Sequence, residues 1–169
     1  LGDVYKRQAA AFKRISNIID REIKIKELIN APNLVLKNSN IEFKNVGFKY
    51  DTTNEKAIKE ININIKGNSM AAFVGHSGAG KSTIINLLPR FYDPQDGVIE
   101  IDGQNIKDVS LSSLRKNLSL VSQDIILFDD TIKNNIAYAN PNATDDEIMK
   151  ACEFAASDQF INKLPNGYN

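Results

Sequence analysis

The 169-residue chain has one cysteine, one histidine, no tryptophan and no net charge, its 21 basic residues balancing 21 acidic ones. Each scarcity excludes something. A lone Cys152 rules out an internal disulfide framework and suits a reducing compartment. It stands in an apolar helical stretch, so an inert core thiol is expected. Zero net charge leaves no global field to favour nucleic acid or an anionic membrane. No run of about 18 apolar residues occurs, so no transmembrane helix is expected in this sequence. The first apolar stretch is short and broken by Lys and Arg, unlike a signal peptide. Repeats and low-complexity segments are absent too. What remains is an ordinary globular composition, 42% hydrophobic and 25% charged, long enough for one domain with a core.

The chain opens without Met, and Asp3-Val4-Tyr5-Lys6-Arg7-Gln8 back-translates as GAT GTG TAT AAG AGA CAG. That string matches a transposon end used in preparing sequencing libraries. Residues 1–8 are therefore expected to be adapter-derived and are set aside.

From Ala9 to about Leu28, Phe12, Ile15, Ile19 and Ile23 recur at steps of three and four, predicting an amphipathic helix. Lys13, Arg14, Asp20, Arg21, Glu22 and Lys24 take the other positions. Asn30-Ala31-Pro32-Asn33 breaks the pattern, and a domain boundary is expected near residue 40. Ile41 to Tyr50 alternates as a strand whose parity switches near Asn45, predicting a bulge. Ile61, Ile63 and Ile65 mark a second strand. Met70 to Val74 is a continuous apolar run, predicting a strand buried on both faces of a parallel sheet. A helix is expected from Gly80, with Pro89 weakening its end. Val98 to Ile101 predicts a short strand before the turn Asp102-Gly103, and Ser110 a cap for a helix over Leu111–Lys116. Leu118 to Val121 predicts another buried strand, and Thr144-Asp145-Asp146-Glu147 a capping box opening a last helix.

The most informative stretch is Gly75-His76-Ser77-Gly78-Ala79-Gly80-Lys81-Ser82, which fits G-x-x-x-x-G-K-[ST]. Glycines let successive backbone N–H groups approach phosphate oxygens with no side chain in the way. The helix that follows offers its free N–H groups to the same anion. Lys81 is expected to reach the β- and γ-phosphates, and the Ser82 hydroxyl to ligate Mg²⁺. Such a string arises by accident in on the order of one chain in a hundred of this length. A buried strand before it and a helix after it are the context it requires. A nucleoside triphosphate is the expected ligand. His76 occupies a free position of the loop, where backbone rather than side chain contacts phosphate, and is expected to be a tolerated surface residue.

A phosphate loop alone does not choose between kinases, GTPases and ATPase motors. Further stretches narrow the choice. Ser77-Gly78-Ala79-Gly80-Lys81-Ser82-Thr83 resembles the loop of ATP-binding cassette (ABC) proteins. Phe48-Lys49-Tyr50, 25 residues earlier, resembles their A-loop, whose aromatic ring stacks on adenine; the alternative for Tyr50 is a half-buried strand-end residue. Leu118-Ser119-Leu120-Val121-Ser122-Gln123-Asp124 resembles the Q-loop, whose glutamine touches Mg²⁺ and the attacking water. Phe91-Tyr92-Asp93-Pro94-Gln95-Asp96-Gly97, Ile101 to Ile106 and Leu127 to Ile136 are similar to exporter-type cassettes. Residues 9–22 resemble the extension of the last membrane helix in exporters that fuse membrane and ATPase parts, and the lipid A exporters are the most similar subfamily.

The resemblance implies an α/β fold: a P-loop NTPase core, an antiparallel β subdomain and the start of an α-helical subdomain. It implies residues 9–39 as membrane-helix extension and linker, and 40–169 as the nucleotide-binding domain. It further implies ATP and Mg²⁺ as ligands, with Tyr50, Gly75, Ser77, Gly78, Ala79, Gly80, Lys81, Ser82 and Thr83 holding the nucleotide. Ser82 and Gln123 would hold the metal, and Lys81 and Gln123 would act in hydrolysis. The implied partners are a second copy of the domain and a membrane domain reached through the Q-loop region, at the cytoplasmic face of the inner membrane. Nucleic acid is not an implied partner.

Family members also carry L-S-G-G-Q, a catalytic Glu and a switch His, and none of these is found in this sequence. The chain is therefore expected to stop short of the signature, to bind ATP–Mg²⁺ weakly, to turn it over negligibly and to aggregate through an unpaired strand edge. The competing readings are a soluble cassette protein of DNA repair or translation, a small P-loop kinase with its own lid, and an inert non-hydrolysing piece.

Overall fold

The computed structural model describes residues 2–20 and 22–169, with side chains from Gln8 onward. Leu1, the first of the residues expected to derive from an adapter, and Arg21, a polar position of the expected helix, lie outside the described residues. The chain divides into two compact units, one ending at Ser119 and one running from Leu120 to Asn169.

In the first unit α1 spans Gly2–Ile19. It therefore ends well before the expected Leu28. Beyond it the chain is drawn onto the unit by specific bonds: Lys24 pairs with Asp51, the Lys26 carbonyl accepts from Arg90, and a Glu27 carboxylate oxygen accepts the Leu111 N–H. These contacts compete with helical hydrogen bonds and win. The apolar stripe of α1, including Phe12 and Ile18, is exposed.

Strands β1 (Ile41–Phe48), β2 (Ile58–Ile65), β3 (Asp96–Ile101) and β4 (Gln104–Asn105) form an antiparallel sheet in the order β2-β1-β3-β4. The register sets Phe43 opposite Ile63 on one side and Ile99 on the other. The predicted bulge is present. Pairing slips between Phe43 and Val46, and Asn45 takes a left-handed φ of 50°. The side chain of Asn62 accepts the Asn45 N–H at 2.9 Å and donates to the Asn45 side-chain oxygen at 2.9 Å. The extra residue thus keeps its polar groups satisfied, and Val46 and Phe48 can both turn inward.

Helix α2 (Lys81–Leu87) and helix α3 (Leu111–Lys116) complete this unit. Ser110 caps α3 by accepting the Ser113 N–H. Phe43, Val46, Phe48, Ile58, Ile99 and Ile101 from the sheet pack with Ile84, Leu87 and Leu114 from the helices. Each such side chain, fully buried, contributes roughly 1.5–3 kcal/mol.

Two expected strands are not formed. Met70–Val74 has no ladder partner among the described residues, and Met70 is 98% exposed and Val74 90%. Leu118–Val121 is likewise without a ladder, with Val121 93% exposed. An apolar run records that a segment belongs in a core, but a strand exists only where a neighbour supplies its N–H and C=O partners. Only Phe73 and Leu118 of these runs lean on the core.

The second unit is helical, with α4 (Ile132–Ala137), α5 (Asp145–Phe154) and α6 (Asp158–Ile161). The expected capping box opens α5: Glu147 accepts the Thr144 N–H at 2.8 Å, and the Thr144 hydroxyl accepts the Glu147 N–H. Ile148, Cys152 and Ile161 form a small core with Ile132, Ala137, Ala143 and Tyr168 around it. Cys152 is the buried thiol expected of it. Helix α4 was not predicted, although Thr131 before Ile132 and Ile136 is a local cap signal. Its hydroxyl accepts the Asn134 N–H at 3.1 Å.

Among the described residues no helix is long and apolar enough to cross a membrane.

Candidate nucleotide site

The loop 75–80 runs over the surface of the first unit and delivers the chain into α2. Gly80 stands at the N-cap with φ of 86°. A Cβ there would fall 2.8 Å from the Ala57 carbonyl oxygen, so both the dihedral and the close approach call for glycine. The loop closes on itself by one backbone bond, Ala79 N–H to the His76 carbonyl. The Lys81 ammonium lies across it, donating to the carbonyls of Gly75 at 2.9 Å and His76 at 2.8 Å. Ser77, Gly78, Ala79 and Ser82 are exposed, open to an incoming anion. His76 is exposed as expected, its Nδ1 2.8 Å from the Ser77 carbonyl oxygen.

Thr83, the last residue of the predicted set, faces away from solvent. It is buried on the inner side of α2, with its hydroxyl 3.0 Å from that of Tyr50. One hydrogen bond therefore joins the two stretches expected to hold base and phosphates. The Tyr50 ring meets Phe48 at 4.8 Å and Tyr92 at 5.2 Å between centroids, nearly perpendicular to both. Edge-to-face packing of this kind fixes a ring's orientation as well as its depth.

Two residues that set up this cluster escaped the sequence reading. In the sequence Tyr92 stands out only as part of a family-like stretch. Gln95 pairs with the backbone beside Tyr50, accepting the Lys49 N–H at 2.8 Å and donating to the Lys49 carbonyl at 3.0 Å. It behaves as a short extra strand, and no local signal marks a partner 46 residues away. Tyr50, Tyr92, Phe91, Lys49, Asp51 and Arg115 line a cleft of about 860 Å³. No residue of 75–83 lines that cleft, and the Tyr50–Thr83 hydrogen bond links it to the helix that follows the phosphate loop.

Gln123 lies in the second unit, exposed at a bend beside Ser122, whose hydroxyl donates to the Asp124 carbonyl at 2.6 Å. Further along, Asn135 holds the loop before α4, accepting the Phe128 N–H at 2.8 Å and donating to the Phe128 carbonyl at 3.1 Å. Phe128 stacks on Tyr138 with centroids 4.5 Å apart.

The donor set fits an anionic ligand with a hard cation: a glycine-lined loop, one ammonium and an exposed hydroxyl at Ser82. Among the described residues no group of three or more His, Cys, Asp or Glu is gathered to hold a metal unaided. A cation here would draw most of its oxygen ligands from the phosphates, with Ser82 contributing one.

The family described as ABC transporter matches residues 58–168. Two Staphylococcus aureus proteins named for multidrug export as ATP-binding/permease proteins, from strains NCTC 8325 / PS 47 and bovine RF122 / ET3-1, are each 44% identical over 155 residues. These matches cover 92% of this chain and 27% of each relative. A solved structure, a bacterial Atm1-family ABC exporter with ATP bound, superposes with a TM-score of 0.85 at 42% identity. It covers 99% of this chain and 30% of that one. The chain thus spans little more than a quarter of the length of the curated relatives it matches.

Proposed function

Since this chain belongs to the ABC transporter family, we propose that it is the ATP-binding part of a membrane exporter. The mixed α/β fold, with its antiparallel sheet, is that of an ABC ATPase. The observation that carries the reading is the Tyr50–Thr83 bond, which ties an aromatic cluster to the helix that opens at the phosphate loop. In this reading Gly75, Ser77, Gly78, Ala79, Gly80, Lys81, Ser82 and Thr83 form the phosphate cradle and Tyr50 faces the adenine. Ser82 and Gln123 are the metal-side groups, and Gln123 and Lys81 the residues used in hydrolysis. ATP supplies the phosphoanhydride whose cleavage drives transport, and Mg²⁺ neutralises its charge. The chain's own part is to hold and orient the phosphates.

Residues 1–8 are adapter-derived in this reading, 9–39 are the extension of a membrane helix and linker, and 40–169 are the nucleotide-binding domain. The domain works with a second copy of itself and a membrane domain at the cytoplasmic face. The cargo is a lipid or another hydrophobic compound; the S. aureus relatives are named for multidrug export. Binding of ATP–Mg²⁺ to this chain, measured by isothermal titration calorimetry, tests the reading. Saturable binding that Lys81→Ala weakens by roughly ten- to a hundredfold is the expected result, with negligible steady turnover. No heat at millimolar ATP–Mg²⁺ from folded protein would sink it.

A further inference from the structure

The connector between α1 and β1 is not a loose tether. From Lys26 to Asn40 it is laced to the first unit by side chains that bond its backbone. Its first anchor is Arg90, 1% exposed, whose guanidinium forks onto Asp93 at 2.9 and 3.0 Å. The remaining donors reach the carbonyls of Ile106 at 3.4 Å, Lys107 at 3.3 Å and, in the connector, Lys26 at 3.2 Å. Further along, the Ser110 N–H donates to the Pro32 carbonyl, and the Ser113 hydroxyl accepts the Leu34 N–H. Gln104 pairs with both backbone groups of Val35. The last anchor is Asp102, whose carboxylate accepts the N–H groups of Lys37, Asn38, Ser39 and Asn40 at 2.7–3.0 Å. Gly67 leaves room for this turn, since a Cβ on it would stand 1.5 Å from the Asn38 carbonyl oxygen.

Arg90 is also the continuation of α2. Its N–H donates to the Leu87 carbonyl and its φ is 52°, so its backbone forms the turn that ends the helix. Arg115 grips the same turn, donating to the carbonyls of Pro89 at 2.9 Å and Arg90 at 3.0 Å. Helix α2 begins at Lys81 of the phosphate loop, and seven residues make it roughly 10 Å long. A buried charge cannot give up an acceptor without cost. Movement of the Lys26 carbonyl therefore pulls on the guanidinium, and through it on the far end of the phosphate-loop helix. We propose that Arg90 is a positioning residue that couples the connector to the phosphate loop, giving the incoming chain a mechanical link to the nucleotide site through the Arg90–Lys26 contact.

Hydrogen exchange on the intact chain tests this, first without nucleotide. The double substitution D102N/Q104A loosens the connector at its far end and should speed exchange at residues 34–40. If Arg90 couples the two, amides 84–88 of α2 should speed up as well, by about fivefold. In an R90K background, which keeps the charge but loses the fork, the effect should stay confined to the connector. Unchanged exchange in α2, or an equal change with and without R90K, overturns the proposal. Should R90K not fold, the strands decide it: α2 exchange speeded by D102N/Q104A well beyond that of β1 and β2 supports the coupling, and an equal rise in α2 and those strands overturns it.

The second arm rests on the proposed nucleotide site. Saturating ATP–Mg²⁺ should slow connector exchange in the native chain and not in R90K. Bound ATP–Mg²⁺ with an indifferent connector overturns the coupling. Failure to bind ATP–Mg²⁺ overturns the functional reading instead, and the first arm then judges the coupling by itself.

Discussion

The hydroxyls of Tyr50 and Thr83 lie 3.0 Å apart, one on the chain just after β1 and the other buried on the first turn of α2. The bond ties the aromatic residue that follows β1 to the helix that carries Lys81. Because Thr83 is buried, its hydroxyl has little other partner, and the ring is held by Phe48 and Tyr92 as well. A base and a triphosphate held at these two places would be bound as one ligand by two largely independent contributions.

Tyr50→Ala should therefore remove only the base-dependent share. Aromatic stacking contributes about 0.5–1.5 kcal/mol, or roughly two- to tenfold in affinity. Calorimetric titrations of ATP–Mg²⁺ and of tripolyphosphate separate the contributions: ATP should weaken by that factor while tripolyphosphate is unchanged. Equal loss for both would mean that Tyr50 supports the loop rather than the base.

Lys81→Ala should behave in the opposite way. Its ammonium bonds only the loop's own carbonyls, so the substitution spares the core. A charge-assisted hydrogen bond contributes about 1.5–3 kcal/mol, or roughly ten- to a hundredfold in affinity. ATP and tripolyphosphate should weaken together in the same titrations, with the unfolding midpoint unmoved.

Asp102 makes stability depend on acid. Backbone N–H bonds from Lys37 and Asn40, then Ser39 and Asn38, hold its carboxyl down to about 2, against an ordinary 3.8. A carboxylate depressed in the folded state stabilises it fully above the unfolded value, and that contribution fades as pH falls from about 4 towards 2. Asp102→Asn should lower the urea midpoint at pH 7, and the gap to the native chain should close across that window. A gap of constant size from pH 7 to pH 2 would exclude the carboxylate charge as its cause.

How much of this was legible in the sequence follows the range of the signal. The caps at Ser110 and Thr144 are written within three residues, and both are present. The bulge at Asn45 showed as a change of parity, and the loop 75–82 as a string whose glycines have conformational work to do. The bonds that assemble the unit were not legible, because Gln95 meets Lys49 from 46 residues away and Arg90 meets Lys26 from 64. Nothing periodic marks either partner. The run Met70–Val74 misled for a related reason: it signals burial but cannot name the strand that must pair with it. The stripe of Phe12, Ile15 and Ile19 suggested a longer helix because periodicity does not report competing tertiary bonds, such as the one from Glu27 to Leu111.

The two compact units should also differ in how they respond to a broken cap. In the second unit Thr144 and Glu147 satisfy each other's backbone N–H groups, and the Glu147 carboxyl is held below its ordinary range chiefly by the Thr144 N–H. Three acidic residues in the first turn of α5 face its positive end, and Lys133 pairs with Asp145 at 2.5 Å. That helix contributes Ile148 and Cys152 to a core with only one other buried residue, Ile161. Thr144→Ala leaves the Glu147 N–H without its acceptor, which should cost about 1 kcal/mol. With so small a core, loss of the cap should free the whole second unit rather than fray one turn. Hydrogen exchange should accelerate by roughly fivefold across α5 and α6, while β1 to β3 stay unchanged. Thr144→Ser, which keeps the accepting oxygen, should restore most of the protection. Acceleration limited to the first turn of α5 would show that the second unit does not open as one.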